Sequence, residues 1–364
     1  MKVTVAIIFG GKSAEHEISL RSATNIFNAV DKEKFEPLLL GIDKDGNWCY
    51  DASYTQQAAD LSARDYFAQA APVYLHGKNG AADIVDRKSN ITVATFEAAF
   101  PIIHGTFGED GTLQAILKAI NIPFAGPDVL GSAVGMDKDV AKRLLRDAGI
   151  TVADFYTLRQ HRPDEFSYDE IAARLGLPLF VKPANAGSSV GVSKVTNEDE
   201  YHAAVAEAFR YDRKILVEEA IAGKEVECAI LGNEEDLRAS VIGEIVPTKD
   251  FYSYDAKYIS TDGAKMKIPA EIEDAVADKL RHTAIRVFET LCCEGMARVD
   301  FFLKDDNTFV LNEINTLPGF TSISMYPKLW EATGLAYTDL ITRLIQLGID
   351  RCKRNQTLTT VATK

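Results

Sequence analysis

The chain has 364 residues, 46% of them hydrophobic and 26% charged, so it is long enough for two or three domains with sizeable cores. Its formal net charge of −13 argues against a nucleic-acid-binding protein, because duplex binding needs a basic face. The five cysteines include no CxxC spacing, which favours reduced packing thiols over a zinc or redox site. The apolar runs fall short of the ~20 residues of a membrane span, and the N-terminus lacks a signal-peptide cleavage site, so we expect a cytoplasmic protein without a membrane partner.

The first 137 residues show the pattern of an α/β domain. The predicted elements are, in order, a strand over 3–9, a helix over 14–30 with Ser13 as N-cap, a strand over 35–42, a strand over 97–104 and a helix over 112–120. The first strand is continuously apolar and β-branched, as buried parallel strands are. Residues 45–87 are weakly patterned and are predicted to be peripheral. A strand–helix–strand start predicts a parallel α/β layer fold.

The character of the chain changes near residue 138. The predicted elements are a helix over 138–148, strands over 179–182, 192–195, 215–219, 225–231 and 239–246, a helix over 270–291, a hairpin over 298–315 and a helix over 337–354. The short alternating strands favour an antiparallel sheet. We therefore predict an α+β unit in two parts, 138–230 and 231–354, followed by a mobile tail over 355–364. Residues 247–265 are long, polar and tyrosine-rich, which is typical of a functional lid.

The hairpin carries two carboxylates that are predicted to face each other. If its turn centres on Asp306–Asn307, Asp300 lies opposite Glu313. Two residues along, Arg298 lies opposite Asn315, and all four side chains project from one face. Like charges in register destabilise a sheet, and a hard divalent cation would compensate, because it takes oxygen ligands from Asp, Glu and Asn. A solvated hairpin face with a weakly repelling pair is the alternative.

Three further segments have the composition of a phosphate site. Lys182 ends a strand just before a turn that contains Ser188 and Ser189, where small residues let the backbone approach phosphate oxygens. Such a turn alone is more often a simple loop, but the hairpin downstream favours phosphate binding. The acidic segment 218–225 could bind ribose hydroxyls or an adenine amino group, or could be solvated surface. Lys138, at a helix start, is either a phosphate ligand or a surface lysine.

Together these segments resemble the ATP-grasp superfamily and, within it, the D-alanine–D-alanine ligase family. Residues 9–20, 104–111 and 312–322 look like three signatures of that family, and the resemblance extends to about residue 354. It implies an N-terminal α/β domain that binds substrate, a central domain and a C-terminal ATP-grasp domain, with ATP between the last two. It also implies a homodimer.

The resemblance assigns expected roles residue by residue. The nucleotide-contacting positions are Lys138, Lys182, Ser188, Ser189, Glu218, Glu219, Ile221 and Glu225. The expected ligands of two Mg²⁺ or Mn²⁺ ions are Asp300, Glu313 and Asn315. The catalytic positions are Glu15, Ser188, Tyr258, Arg298 and Gly319, and the substrate-binding positions are His104, Lys257, Ser322 and Ser324. Glu15 could instead cap its helix, and a lone histidine such as His104 is more often structural.

The activity that the resemblance implies is ATP-dependent ligation of two D-alanine molecules through a D-alanyl phosphate, for peptidoglycan precursor synthesis. Lys257 and Tyr258 lie in the 247–265 segment, which would close over the site and keep water from the acyl phosphate. Tyr258 favours an amine nucleophile over a hydroxy acid. The alternatives are an ATP-grasp ligase with a different amino- or hydroxy-acid second substrate, and a non-catalytic nucleotide-binding module.

Overall fold

The computed structural model of the protein describes residues 2–55, 63–163, 165–247 and 264–359. Three sheets follow one another along the chain, and helices pack on each of them. Across the described ranges, none of the helices combines the length and apolar character needed to traverse a bilayer.

The N-terminal sheet has seven strands in the order β6-β5-β4-β3-β2-β1-β7. Its strands are β1 (Val3–Gly10), β2 (Phe35–Ile42), β3 (Trp48–Tyr50), β4 (Ala71–Lys78), β5 (Ala81–Asp86), β6 (Thr92–Phe96) and β7 (Ala98–Pro101). The apolar strand β1 pairs in parallel with β2 and β7, which confirms the predicted parallel α/β core. The helices of this region are α1 (His16–Ala29), α2 (Ala63–Gln69), α3 (Thr112–Ala119) and α4 (Val129–Met136).

Two details of the N-terminal prediction are wrong. Helix α1 starts at His16 with Glu15 as its N-cap residue, and the Ser13 hydroxyl accepts from the Glu15 N–H at 3.0 Å one step earlier. The stretch 45–87 is not peripheral, because it supplies β3, β4, β5 and α2. Tyr66 of α2 is fully buried, and its hydroxyl donates to the Leu39 carbonyl at 2.9 Å. One buried aromatic with a satisfied hydroxyl thus anchors a segment that lacks hydrophobic periodicity.

The remaining strands form two antiparallel sheets where one was predicted. The central sheet has the order β10-β9-β11-β8, and the C-terminal sheet has the order β14-β13-β12-β15-β16. The central elements are α5 (Lys138–Asp147), β8 (Phe155–Arg159), α6 (Tyr168–Leu175), β9 (Leu179–Pro183), β10 (Ser193–Val195), α7 (Glu198–Ala208) and β11 (Lys214–Glu219). The C-terminal elements are β12 (Lys224–Gly232), β13 (Arg238–Pro247), β14 (Ala264–Lys267), α8 (Asp274–Thr290), β15 (Gly295–Leu303), β16 (Phe309–Asn315), α9 (Met325–Ala332) and α10 (Tyr337–Gln356).

The predicted boundary at 230/231 falls inside strand β12. The chain passes from the central to the C-terminal sheet between β11 and β12, at residues 220–223, so we propose that the two parts of the α+β unit divide there. The predicted tail also starts too early, because α10 continues to Gln356.

Apolar residues on the two faces of the C-terminal sheet explain its position. Alternate residues of β12, including Val226 and Cys228, pack with Leu280 and Phe288 of α8 in one core. The opposite face contributes Leu231 to a second core that contains residues of α1, β1, α9 and α10. This shared core holds the C-terminal sheet against the N-terminal domain, which brings residues of all three sheets to one region.

Candidate active site

Two cavities lie side by side where the three sheets meet. Cavity A has a volume of about 440 Å³ and lies between the central and C-terminal sheets. Cavity B has a volume of about 480 Å³ and is lined by α1, the loop after β7, the hairpin and the segment after it. Gly187, Ser188, Ile245 and Glu313 line both cavities, so they form a common wall.

The predicted site residues gather around these cavities. All eight predicted nucleotide contacts line cavity A: Lys138, Lys182, Ser188, Ser189, Glu218, Glu219, Ile221 and Glu225. Cavity B is lined by Glu15, His104, Ser188, Arg298, Gly319, Ser322 and Ser324, together with Glu313 and Asn315. Asp300 lines neither cavity. Lys257 and Tyr258 lie outside the described residues.

Strand pairing places a buried acid between two lysines at cavity A. Lys182 of β9 faces Leu216 of β11, so Glu218 lies one pleat further on the same side. The Glu218 carboxylate is 2.8 Å from Lys182 Nζ and 3.1 Å from Lys142 Nζ. Desolvation opposes its ionisation, but the two lysines outweigh burial and lower the pKa of Glu218 from its ordinary value. The cluster therefore sets two lysines against one ionised carboxylate.

Sequence reasoning missed Lys142, although a signal for it exists. It lies four residues after Lys138 on α5, so both lysines share a helix face. The side chain is almost fully buried, and desolvation lowers the pKa of its ammonium group against the attraction of Glu218.

Lys138 connects the Gly/Ser turn to the hairpin. Its ammonium group donates to the Ala186 carbonyl at 2.8 Å and lies 3.4 Å from the Glu313 carboxylate. In the same turn Ser188 and Ser189 adopt left-handed φ values of 51° and 60°. Left-handed backbone is uncommon for residues other than glycine and occurs in turns held by their surroundings. The arrangement leaves small side chains and a lysine at the wall between the cavities.

The same turn makes a long-range contact with the first helix. Ser188 Oγ donates to the Glu15 carboxylate, across 173 positions of sequence. A Cβ on Gly187 would lie 3.0 Å from Glu15 Oε2, so a larger residue there would push the carboxylate aside by a few tenths of an ångström. A hydrogen bond thus joins Glu15 and Ser188, two of the expected catalytic positions.

His104 and Glu109 hold the backbone of Leu317 from both sides. His104 Nδ1 lies 3.0 Å from the Leu317 carbonyl, and Glu109 accepts from the Leu317 N–H at 3.0 Å. Because a carbonyl only accepts, His104 carries its proton on Nδ1, and burial lowers the pKa of its imidazole. Nε2 is then a buried acceptor with no partner among the described residues. His104 therefore has a structural hydrogen bond through Nδ1, and its Nε2 is available to a ligand in cavity B.

Glu109 has a carboxyl group with a raised pKa, and it was not predicted as a site residue. Burial, and secondly the nearby Glu15 charge, raise the pKa of its carboxyl to about 8. Its other oxygen accepts from the Gly105 N–H at 2.6 Å. It lies within the second of the three signature segments, so the signal was present in the sequence.

The hairpin register is as predicted at the site but wrong at the turn. Arg298 pairs with Asn315 and Asp300 pairs with Glu313. Leu303, however, pairs with Phe309, so the turn lies one residue earlier than assumed, over 304–307. Asn312 is an extra residue that bulges from β16 and restores the register, since Phe301 pairs with Leu311.

The hairpin face contains a second buried ion cluster, in which one base is shared by two acids, whereas at cavity A one acid is shared by two bases. Arg298 Nε and Nη2 donate to Asp300 at 2.8 and 2.7 Å, and Arg298 Nε lies 3.0 Å from the Glu227 carboxylate. Desolvation opposes the guanidinium charge, but Asp300 and Glu227 outweigh it and raise the pKa of Arg298. Glu227, which was not predicted, faces Asp300 from strand β12, so it forms a row with Asp300 and Glu313 across three strands.

The residues at the hairpin fit a hard cation in chemistry. Among the residues that the structure describes, there is no group of three or more His, Cys, Asp or Glu side chains that could hold a metal ion. The predicted set instead combines two carboxylates with Asn315, whose Oδ1 is buried without a hydrogen-bond partner among the described residues. An amide oxygen left unpartnered beside carboxylates suits Mg²⁺ or Mn²⁺, which prefer oxygen ligands.

Lysines from the central sheet, a Gly/Ser turn and a carboxylate hairpin around one cavity are the features of an ATP-grasp ligase. Two family models match the chain: "D-ala D-ala ligase N-terminus" over residues 4–127 and "D-ala D-ala ligase C-terminus" over residues 144–346. The chain belongs to the D-alanine–D-alanine ligase family, whose members are ADP-forming carboxylate–amine ligases.

Individual relatives are similar over almost the whole chain. Identity is 55% over 364 residues to D-alanine–D-alanine ligase A of Salmonella typhimurium, and 52% over 362 residues to D-alanine–D-alanine ligase of Oceanobacillus iheyensis, with 99% and 98% of each chain covered. The solved D-alanine–D-alanine ligase of Coxiella burnetii has a TM-score of 0.85 and 38% identity over 98% of this chain and 96% of its own. The VanG D-Ala:D-Ser ligase of Enterococcus faecalis has a TM-score of 0.84 and 36% identity over 96% of this chain and 100% of its own. Similarity of fold alone therefore does not distinguish the second substrate.

Proposed function

We propose that the protein ligates two D-alanine molecules to D-alanyl-D-alanine at the expense of ATP, for peptidoglycan precursor synthesis. Relatives that are 55% and 54% identical are named D-alanine–D-alanine ligase A, and the family makes ADP from ATP. The observation that carries the proposal is the common wall of the two cavities, with Ser188 and Glu313 on it. A γ-phosphate at that wall would meet a carboxylate bound in cavity B.

Cavity A is proposed to bind ATP. Its apolar lining residues suit a purine ring: Phe180, Ile221, Val246 and Phe302. Lys138, Lys182 and the N–H groups of the Gly/Ser turn suit phosphates, and Glu219 and Glu225 suit ribose hydroxyls or the adenine amino group. Glu218 is held by two lysines and so fixes the position of Lys182, which lines the cavity.

Asp300, Glu313 and Asn315 are proposed to hold Mg²⁺ or Mn²⁺. When bound, the cation supplies positive charge to the oxygens of the transferring phosphoryl group. The unpartnered Asn315 Oδ1 supports this assignment.

Cavity B is proposed to hold both D-alanine molecules. Glu15, oriented by Ser188, and the acceptor nitrogen of His104 suit the ammonium group of the first. Its carboxylate oxygen attacks the γ-phosphorus, and the bond to ADP breaks. Phosphoryl transfer mainly requires positioning and charge neutralisation, which Lys138 and Lys182 of cavity A are proposed to supply.

In the second half-reaction, the amine of the second D-alanine attacks the acyl carbon, loses a proton, and inorganic phosphate departs. Arg298 and the Gly319 N–H, which both line cavity B, are proposed to stabilise the oxyanion that develops. Ser322 and Ser324 suit the carboxylate of the second substrate. The Ser324 Oγ also accepts from the Thr321 N–H at 2.9 Å, so it shapes the turn over 321–324 that follows Gly319.

A panel of substrates tests the proposal. We expect ADP release with ATP, Mg²⁺ and D-alanine, with little response to L-alanine. A stronger response to D-serine plus D-alanine would favour the activity in the name of the VanG ligase, and D-lactate would indicate a hydroxy-acid acceptor. ADP release with L-alanine but not D-alanine would overturn the proposal, and nucleotide binding without any release would indicate a non-catalytic module. Cytoplasmic location, a homodimer and the lid roles of Lys257 and Tyr258 remain predictions.

A further inference from the structure

Arg298 conceals one of the proposed metal ligands. Both oxygens of Asp300 accept from its guanidinium group, and Asp300 is only 2% exposed. Glu313 and Asn315 line cavity B, but Asp300 does not. A cation that enters from the cavity therefore reaches Glu313 and Asn315 directly, and reaches Asp300 only if the guanidinium gives up part of its bidentate pairing.

The displaced guanidinium needs another carboxylate. A buried charge that loses its partner is strongly destabilising, because desolvation is no longer offset. Within the described part of the chain, Arg298 forms ion pairs with Asp300 and Glu227. Glu227 is 4% exposed and lies on β12 directly opposite Asp300, so it already touches the guanidinium without any change of backbone.

The other nearby carboxylate is less suitable. Glu313 lies on the far side of Asp300, interacts with Lys138 at 3.4 Å, and is itself a proposed metal ligand. Glu227 is not part of that ligand set. The three acids thus form a row with Asp300 in the middle. Arg298 pairs with Glu227 at one end of the row, and Lys138 pairs with Glu313 at the other.

We propose that Glu227 is a positioning residue that retains the Arg298 guanidinium when a divalent cation takes Asp300. It keeps Arg298 at cavity B in the metal-loaded protein and makes the exchange of partners at Asp300 favourable. This inference rests on the metal site of the proposed function. It assigns a role to a residue that lies outside the proposed ligand and substrate sets.

Binding of Mn²⁺ alone tests the exchange, with free Mn²⁺ followed by electron paramagnetic resonance. Glu227→Gln should weaken Mn²⁺ binding by about tenfold or more, because the guanidinium then competes harder for Asp300. Glu227→Asp keeps the charge and should retain most of the affinity. The matched control is Glu244→Gln, an equally buried acid on β13 that is not among the ion-pair partners of Arg298 in the described residues. It should change the affinity by less than about twofold, as expected for a charge that makes no direct contact.

The outcomes separate this inference from the function on which it rests. Failure of the wild-type protein to bind Mn²⁺ would contradict the proposed metal site itself. Wild-type binding with equal binding by Glu227→Gln would overturn the role of Glu227 alone. Equal losses of Mn²⁺ affinity in Glu227→Gln and Glu244→Gln would also overturn it, since the effect would then come from the total negative charge of the sheet and not from the contact with Arg298. A Glu227→Asp variant that does not retain the Mn²⁺ affinity would overturn it as well.

A kinetic split gives a second readout. If Glu227 holds Arg298 for the oxyanion, Glu227→Gln at saturating Mg²⁺ should lower kcat while the KM for ATP stays within about twofold, because an interaction made in the transition state is lost. A raised KM for ATP with unchanged kcat would contradict the positioning role.

Discussion

Two buried ion clusters lie beside the two cavities and have opposite charge balance. At cavity A one acid, Glu218, is shared by Lys142 and Lys182. At cavity B one base, Arg298, is shared by Glu227 and Asp300. The first cluster has more basic than acidic residues, which suits phosphate oxygens. The second has an excess of negative charge, which suits a cation.

Two clusters of this kind allow one site to attract both a polyanion and its counter-ion. Between the two clusters lies the wall formed by the Gly/Ser turn and Glu313, where Lys138 is 3.4 Å from the Glu313 carboxylate. Under the proposed function, a metal–nucleotide complex bound between charges of opposite sign would take one orientation, with its phosphates toward cavity B.

The largest effect is expected from removing a carboxylate at the hairpin. Asp300→Ala or Glu313→Ala should lower kcat by at least about 100-fold, because charge neutralisation of the transferring phosphoryl group is lost. Asp305→Asn, at the exposed tip of the same hairpin, is the control and should leave turnover near wild type. Steady-state ADP release and the circular dichroism of each variant check this. Near-normal turnover with the Ala variants would remove the hairpin from the mechanism.

The two lysines on Glu218 should separate binding from stability. Lys182 lines cavity A, and Lys182→Met should weaken nucleotide affinity by roughly tenfold to 100-fold. Lys142 does not line the cavity, so Lys142→Met should mainly lower the free energy of unfolding, by about 1–3 kcal/mol, because Glu218 keeps Lys182 as a partner. Lys194→Met, at an exposed position of β10, should cost less than about 0.5 kcal/mol. Calorimetric titration with ATP and urea unfolding measure the two quantities; equal nucleotide affinities for the Lys182 and Lys142 variants would contradict the assignment.

A smaller effect is expected at the wall between the cavities. Ser188→Ala removes the hydroxyl that donates to Glu15 and should raise the KM for the first D-alanine by about tenfold. Nucleotide affinity should change less, because the backbone N–H groups of the turn remain. Ser193→Ala, on β10, serves as a control. An unchanged KM for D-alanine in Ser188→Ala would show that Glu15 does not depend on this hydrogen bond.

The smallest effect concerns pH. Because burial raises the pKa of Glu109 to about 8, the folded state binds a proton that the unfolded state releases near its ordinary value of 4.5. The contribution of Glu109 to stability is therefore fully present below pH 4.5 and is lost as pH rises toward 8. Glu109→Gln removes this titration, so its unfolding free energy should fall less steeply than that of wild type between pH 5 and 8. Parallel profiles would contradict the raised pKa.

The hairpin shows how much of the site could be predicted. Period-two alternation and the pairing of acids fixed the facing residues correctly, although the assumed turn was wrong. Asp305, Asp306 and Asn307 are all turn-forming residues, so several registers are compatible with the sequence. The structure uses left-handed backbone at Asn307, and the bulge at Asn312 offsets the shift. A one-residue bulge has no distinct sequence signal.

The residues that were missed depend on neighbours that are distant in sequence. Glu227, Lys142 and Glu109 look like ordinary charged residues of a strand, a helix and a loop. Their roles arise because Glu227 faces Asp300, Lys142 faces Glu218, and Glu109 meets Leu317 across 208 positions. The stretch 45–87 was misjudged for the same reason, since Tyr66 is buried by tertiary packing and not by an amphipathic pattern.

The stoichiometry of dipeptide and ADP tests the central claim most directly, namely that phosphoryl transfer at the common wall activates a D-alanine held in cavity B. With ATP, Mg²⁺ and saturating D-alanine, we predict that D-alanyl-D-alanine and ADP form in a one-to-one ratio, and that both are lost together in Glu313→Ala. ADP formation without dipeptide, or dipeptide formation that persists in Glu313→Ala, would contradict the account.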